Sequence, residues 1–309
     1  MGDGRRRLLA GPTVTATVLV GVSLKLSRAY HLLNQLNEAV GADRERNRPL
    51  AGVFDPRYQA HALFYEGDPP PAAWGVMAGD VVHDARSALD HLVACLVVAN
   101  GKQPLAANSF PLFGSEVRYR AEVSRRDPTR GPDPLTGLTA NQRGIVAECQ
   151  PFAGRRAREA QRAPLLQLHR LWNVDRQRLV DVGVSFDGSR DLEVVVEPES
   201  WFSVRQISLH AEPGTLIEPG ASVASISVIR HPGTPAHVGL RLVSRLKTAV
   251  AFGPAGPGGP ATTVNGLAAI LADALDAVRR FDPTFHVDDW ADVTSWPAVD
   301  GRRPVDRGR

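Results

Sequence analysis

Residues 79–100 read "GDVVHDARSALDHLVACLVVAN", and the folding of this stretch decides how the rest of the chain is arranged. Val82, Ala85, Leu89, Leu92, Val93 and Leu96 recur at intervals of three and four. That is the helical period, and Asn100-Gly101 is a good stop, so the stretch is predicted to be a helix. Its centre, "HDARSALDHL" (83–92), carries six polar groups: His83, Asp84, Arg86, Ser87, Asp90 and His91. On a helical wheel they share one arc of about 160°. The simplest reading is a wet face with internal ion pairs, Arg86 with Asp90 one turn on. Past His91, however, the same arc carries Ala94, Val97 and Val98, which predicts a C-terminal half buried all round. The polar cluster would then sit where the helix enters a core. Partly buried charges need partners, or they shift their pKa.

Upstream, "SLKLSRAYHLLNQLNEAV" (23–40) has the same period and is a first helix. Between the two helices a Pro- and Gly-punctuated stretch reads as loop, with one short strand near Ala62–Tyr65. Downstream, "NSFPLF" (108–113) is extended, because Pro111 biases Phe110 away from helix. A short helix is expected near Glu116–Ser124 and a linker over 125–134. Thr139 can cap a helix running to Cys149, and another starts at Pro164 and runs to about Val180.

That last helix, "PLLQLHRLWNVDRQRLV" (164–180), places Asp175 within its apolar stripe of Leu165, Leu168, Leu171, Trp172 and Leu179. A carboxylate there is costly unless it meets a cation. The expectation is that Asp175 faces the polar arc of the 79–100 helix, with Arg86 as its partner. His169 and Asn173 lie four apart on one flank, suited to hydrogen bonding at an interface.

Beyond residue 180 the period changes. "DVGVSFD", "DLEVVVEP", "FSVRQISLH", "ASVASISVIR", "HVGLRLVS" and "LKTAVAFG" are short, β-branched and bounded by Gly, Pro or Asp. They predict five or six mostly antiparallel strands over 181–253. "VNGLAAILADALDAVRRF" (264–281) is a last amphipathic helix. The fold class is therefore α+β: a helical bundle over 21–180, a β-region over 181–253, a Gly/Pro hinge over 254–263, and a C-terminal helix over 264–283 packing back on the bundle. Residues 1–20 are expected to be a flexible N-terminus, and 284–309 a tail that packs poorly from about residue 287.

Composition narrows the function. All but three of the 36 basic residues are arginine, with heavy Ala, Gly, Pro and Val usage, which suits a GC-rich genome. A net charge of +3 does not imply nucleic acid by itself. Arginine does outnumber acidic residues nearly two to one over 111–178, most densely in "GRRAREAQR" (154–162), read as a solvated connector. Cys95 and Cys149 are too few for a disulfide scaffold and read as buried thiols in a reducing compartment. The basic, apolar N-terminus lacks a convincing cleavage site, and no clean apolar run is long enough to span a membrane, so a cytoplasmic protein is expected. A P-loop, a dinucleotide fingerprint, a G-x-S-x-G elbow and an RNP pattern are all missing, and no cofactor or metal is implied.

Taken together, "HDARSALDHL", "FPLF" and "LHRLWNVDRQR" resemble an uncharacterised family of bacterial and phage proteins with RSALDHL and LWNxDKHR-like motifs. The likeness covers about residues 23–180. It departs at Asp84, and at Arg176 and Gln177 where relatives carry Lys and His. It implies no activity. The chain also resembles, more loosely, the HEPN domains, helical bundles that are often dimeric and in many cases metal-independent ribonucleases. Their Arg-x4-His signature would fall on Arg86 and His91, with Ser87 in the polar position. That resemblance implies a homodimer acting on RNA, with His91 moving the 2′-hydroxyl proton and Arg86 stabilising the phosphorane. On an ideal helix the two side chains are about 140° apart, so they would converge only across a dimer or at a kink. A third reading, an HD-type metal hydrolase, would use His83 and Asp84 with His31 or His61 as a further ligand. The leading expectation is a protein that acts by binding or assembly, its partner unspecified, with His83, Asp84, Asp90, His169, Asn173 and Asp175 in supporting places.

Overall fold

The structure is a computed structural model that describes residues 19–41, 48–55, 60–124, 132–186, 189–253 and 261–287. The expectations for residues 1–18, most of the 125–134 linker, the start of the 254–263 hinge and the tail beyond 287 lie outside those residues. The elements run α1 (Val20–Gly41), β1 (Arg48–Asp55), β2 (Ala60–Tyr65), α2 (Ala73–Ala99), α3 (Glu116–Val123), α4 (Ala140–Glu148), α5 (Ala157–Gln161) and α6 (Pro164–Asp175). Then follow β3 (Asp181–Ser185), β4 (Leu192–Glu197), β5 (Phe202–Leu209), β6 (Ser222–Arg230), β7 (Arg241–Leu246), β8 (Ala249–Gly253), β9 (Thr262–Thr263) and α7 (Val264–Arg279). The chain is α+β with antiparallel sheets. Among the described residues no helix is long and apolar enough to cross a membrane.

The chain divides into two compact units. The first takes residues up to His31, Val81–His169 and residues from Ala268; the second takes Leu32–Asp80 and Arg170–Leu267. The boundaries fall inside α1, α2, α6 and α7, so the division does not follow the order of the sequence.

In the first unit, α2 buries Val82, Ala85, Leu89, Leu92, Val93, Leu96 and Val97, the side the helical period selects. The helix ends as Asn100-Gly101 suggests. Gly101 is left-handed at φ +71°, its N–H reaches Val98 O at 2.8 Å, and Lys102 N–H reaches Val97 O at 3.1 Å. The Asn100 side chain then bonds Gly137 O and the Gln142 side chain. Gln142 completes the Thr139 capping box at the start of α4. The segment after α7 folds back: Phe285 and Val287 are buried, and Arg279 Nε donates to Phe285 O at 3.2 Å. The "GRRAREAQR" connector forms the short α5, with Arg156 N–H bonded to Glu159.

In the second unit, six of the strands lie where β-branched runs predict them, over 181–253. The six-stranded sheet has the order β4-β7-β1-β2-β6-β5, and β3-β8-β9 form a separate three-stranded sheet. One of its members overturns a sequence expectation. β1 belongs to the stretch read as loop, whereas β2 is the short strand expected near Ala62–Tyr65, and the two occupy the middle of the larger sheet. β1 escaped notice because Pro49 and Gly52 interrupt "RPLAGVFD". Pro49 is tolerated because it sits at the strand's start, where β1 pairs with β7 only through Arg48 and Pro49. β9 takes the last two residues of the expected hinge and pairs with Ala251 and Phe252. Leu50, Leu63, Tyr65, Phe186, Val223, Ile226 and Leu246 form the core of this unit.

Two helix boundaries also differ. α2 starts at Ala73 rather than Gly79, directly after Pro71, whose carbonyl accepts from Trp74 N–H. α6 stops at Asp175 rather than Val180, and Arg176 stacks on Trp172 with its guanidinium 4.6 Å from the ring centre. The chain after α6 then lies against α2. A Cβ on Gly75 would collide with the Val180 carbonyl, and one on Gly79 with the Asp175 carboxylate. Two glycines one turn apart thus give the α2 backbone a bare stripe on which 175–180 rests.

Gly75→Ala is therefore expected to destabilise the protein by about 1–3 kcal/mol, since a backbone carbonyl must move. Helix propensity alone would stabilise it by up to about 1 kcal/mol. Gly144→Ala, in the exposed middle of α4 with nothing within 4 Å, is the internal control and should raise the melting temperature. Thermal unfolding of the two variants checks the opposite signs.

Candidate functional site

The polar cluster of α2 separates into buried and exposed halves. His83 and His91 are exposed, Ser87 and Asp90 are half-buried, and Asp84 and Arg86 are only 3% and 5% exposed. The helix therefore does not sink progressively toward its C-terminus: Val98, expected to be buried, is 52% exposed. What is withdrawn from water is the acidic and basic pair Asp84 and Arg86, three to four turns earlier.

Arg86 makes a two-pronged pair with Asp90. Its Nη2 donates to Oδ1 at 2.9 Å and its Nε to Oδ2 at 3.3 Å. Asp90 Oδ1 also accepts the Phe110 backbone N–H at 2.8 Å. Burial pushes the Asp90 carboxyl up and the Arg86 guanidinium down, and their mutual attraction opposes both shifts. The Phe110 segment is the extended "FPLF", and it needs such partners because among the described residues no strand pairs with it. Gln150, fully buried, supplies the rest: Nε2 donates to Pro111 O at 2.7 Å and Oε1 accepts from Phe113 N–H at 3.2 Å. Asp84 reaches back to α1, where Arg28 Nε lies 3.4 Å from its Oδ2.

The remaining residues singled out from sequence divide between the two units. His91 packs its ring over Gly21 of α1, where a Cβ would stand 3.1 Å from Nδ1. His169, half-buried, belongs to the first unit, and Asn173, exposed, to the second. Asp175 was expected to pair with Arg86. Those side chains belong to different units; in its own unit Asp175 rests on Gly79, and in its own unit Arg86 holds Asp90. His31 is exposed on α1, and His61 lies on β2 with its ring 5.1 Å from that of Phe54. Among the described residues no three His, Cys, Asp or Glu side chains come together to hold a metal.

Two cavities supply sites that the sequence reading missed. In the second unit a cavity of about 280 Å³ is lined by Tyr65, Pro69, Pro70, Asp181, Glu218 and Pro219 among others. Asp181 Oδ2 is buried there without a hydrogen-bond donor among the described residues. In the first unit a larger cavity, about 550 Å³, is lined by Glu148, Cys149, Arg155, Asp273, Asp276 and Arg280 together with small apolar side chains. Arg280 and Glu148 form an ion pair at 3.3 Å. Burial raises the Asp273 carboxyl to about 6, against the attraction of Arg155, and raises the Cys149 thiol to about 11. A thiol held that high is not a nucleophile near neutral pH. The signal for this site was present in α7: Asp273 interrupts an otherwise apolar run, and Asp276 and Arg280 follow three and seven residues on, along one face.

No protein family, curated protein or solved structure matches the chain.

Two outcomes follow from these environments. Arg86→Ala leaves Asp90 without its cation and is expected to lower unfolding free energy by about 3–5 kcal/mol, whereas His91→Ala should stay within about 1 kcal/mol. Denaturant unfolding of both variants measures the contrast. Asp273 has a folded pKa above its unfolded value near 3.8, so its stabilising contribution is present at low pH and lost as pH rises through about 6. The charged form at neutral pH then costs up to about 3 kcal/mol. Asp273→Asn should be more stable than wild type above that pH, and the two should converge toward pH about 4.

Proposed function

We propose that this protein acts by binding rather than by chemistry, and that the polar cluster of α2 is a structural clamp. The observation that carries the reading is the state of Arg86. A guanidinium that stabilises a phosphorane has to face the substrate. This one is 5% exposed and holds both oxygens of Asp90. His91, on the exposed side of the same helix, has the access a proton-transfer group needs, but the buried Arg86 is a poor companion for it. The HEPN-like reading, with its homodimer and RNA partner, therefore ranks second.

The same geometry gives the motif likeness a physical sense. Arg86 and Asp90 of the RSALDHL-like motif and the "FPLF" segment meet in one hydrogen-bonded unit, so a family sharing those motifs would share a folding signature and not necessarily a reaction. Membership of that uncharacterised bacterial and phage family is part of the proposal. So is a cytoplasmic location, which the free thiols of Cys95 and Cys149 favour.

The test is incubation of the purified protein with single-stranded and structured RNA in EDTA, beside His91→Ala. The expected outcome is intact RNA with both proteins. Metal-free cleavage by wild type that disappears in a folded His91→Ala variant would overturn the binding reading in favour of the ribonuclease.

A further inference from the structure

In the second unit, β3 is an edge strand of the three-stranded sheet, and its free side is bonded at one end and open at the other. Phe186 O accepts from Gly214 N–H at 2.9 Å, and Val184 O accepts from Ile217 N–H at 2.8 Å. Main-chain groups two residues apart on a strand point the same way. Val182 O therefore continues this row on the side away from β8, and among the described residues nothing donates to it there. The chain after Ile217 has by then left β3 and crossed to β2. Glu218 to Ala221 form a turn, closed by Ala221 N–H to Glu218 O at 3.1 Å, with Pro219 second and Gly220 third at φ +82°. Gly220 N–H then reaches Tyr65 O at 2.7 Å.

The cavity of about 280 Å³ lies where that chain parts from β3, lined by both. Asp181 lines it beside Val182. Asp181 Oδ2 is out of reach of water and receives no hydrogen bond among the described residues, whereas Oδ1 is not closed off. Glu218, also in the lining, is exposed, and among the described residues no basic side chain lines the cavity. The remaining walls are apolar: Tyr65 and Pro70 are buried, and Leu216 lies over Gly183, where a Cβ would stand 3.3 Å from Leu216 Cδ2. Both charges of the cavity are negative and the open main-chain oxygen is an acceptor, so its complement is a cation carrying N–H donors. An anion, or a neutral molecule without donors, leaves the Asp181 carboxylate uncompensated. With Oδ2 buried, the two-pronged grip of a guanidinium on a carboxylate cannot form. An ammonium is a compact charge with three N–H donors and needs no such grip.

We propose that this cavity binds a primary ammonium on a short apolar body, its N–H groups on the Asp181 carboxylate and Val182 O and its body against Tyr65, Pro70 and Leu216. This deepens the binding reading above and rests on it. A volume of about 280 Å³ is at the lower end of small-molecule sites, so the body is a short alkyl or aryl group. Pro69, Pro70 and the Pro219-Gly220 turn fix the shape of the walls, and a preformed site loses little freedom on binding.

The experiment is isothermal titration calorimetry on the full chain, near neutral pH, with benzylamine, 2-phenylethylamine and isopentylamine at up to about 10 mM. Each is set beside its alcohol, which lacks the charge, its guanidine, which lacks the compact shape, and its N-trimethyl form, which lacks the donors. Nα-acetyl-lysine methylamide presents the same ammonium as a peptide side chain. The expected result is that at least one ammonium compound binds and that the alcohol, guanidine and trimethyl counterparts bind about tenfold weaker or worse. Preference for the amines assigns the ammonium to a free small molecule, and preference for the lysine derivative assigns it to a peptide; either supports the site. Asp181→Asn should weaken the amine about tenfold and leave the alcohol unchanged, in a variant that unfolds cooperatively. Glu218→Gln, at an exposed position, should weaken it by about two- to threefold and serves if the first variant does not fold. Absence of binding by every ammonium compound overturns the proposal, as does equal binding of an amine and its alcohol, or unchanged amine affinity in folded Asp181→Asn. Failure here with RNA left intact removes only the ligand class; RNA cleavage lost in His91→Ala removes the binding reading itself.

Discussion

A buried guanidinium and a half-buried carboxylate one turn apart on α2 bond each other, and the arrangement of the first unit depends on that pair. Arg86 and Asp90 do so with two hydrogen bonds, and Asp90 has acceptor capacity left for a third. The third donor is the Phe110 backbone, at the start of a segment whose proline and lack of a neighbouring strand leave its polar groups in need of partners. Gln150 completes the set from the end of α4. Helix α2, the "FPLF" segment and the α4 terminus are thereby held by side chains in place of a β-ladder. Half-satisfied polar networks of this kind are worse than an apolar core, which is why every member matters to the others.

The second unit depends on a different constraint, the approach of backbone to backbone. Gly75 and Gly79 strip α2 of side chains along one line, and the chain leaving α6 fills that line with the Val180 carbonyl and the Asp175 carboxylate. β3 begins at the next residue, so the position of its sheet is set by how closely this turn can pack. Strands β1 and β2, far earlier in sequence, then join β7 and β6 to make the centre of the larger sheet. The resulting fold interleaves the sequence: each unit is assembled from separated stretches, and the polar clamp and the charged cavity both belong to the first.

Burial gives those two polar regions different characters. At the clamp, opposite charges meet, and their attraction opposes the effect of burial without cancelling it. In the cavity, burial raises the Asp273 carboxyl to about 6 against the attraction of Arg155.

Local periodicity determined a good deal of this. The six strands over 181–253, the apolar side of α2, the Gly101 stop and the Thr139 cap all follow from short-range patterns, because a pleat, a helical turn and a capping hydroxyl act over a few residues. The Arg86–Asp90 pairing is legible for the same reason, being one turn long. The sequence did not disclose that Arg86 would be buried while His83 and His91 stayed wet, since the polar arc looks uniform on a wheel. Nor did it disclose β1, whose proline and glycine argue locally against a strand, or that Arg155 and Asp273, more than a hundred residues apart, line one cavity. Those are decided by which surfaces the tertiary structure brings together: exposure and long-range charge are properties of the packed unit, and no window of neighbouring residues contains them.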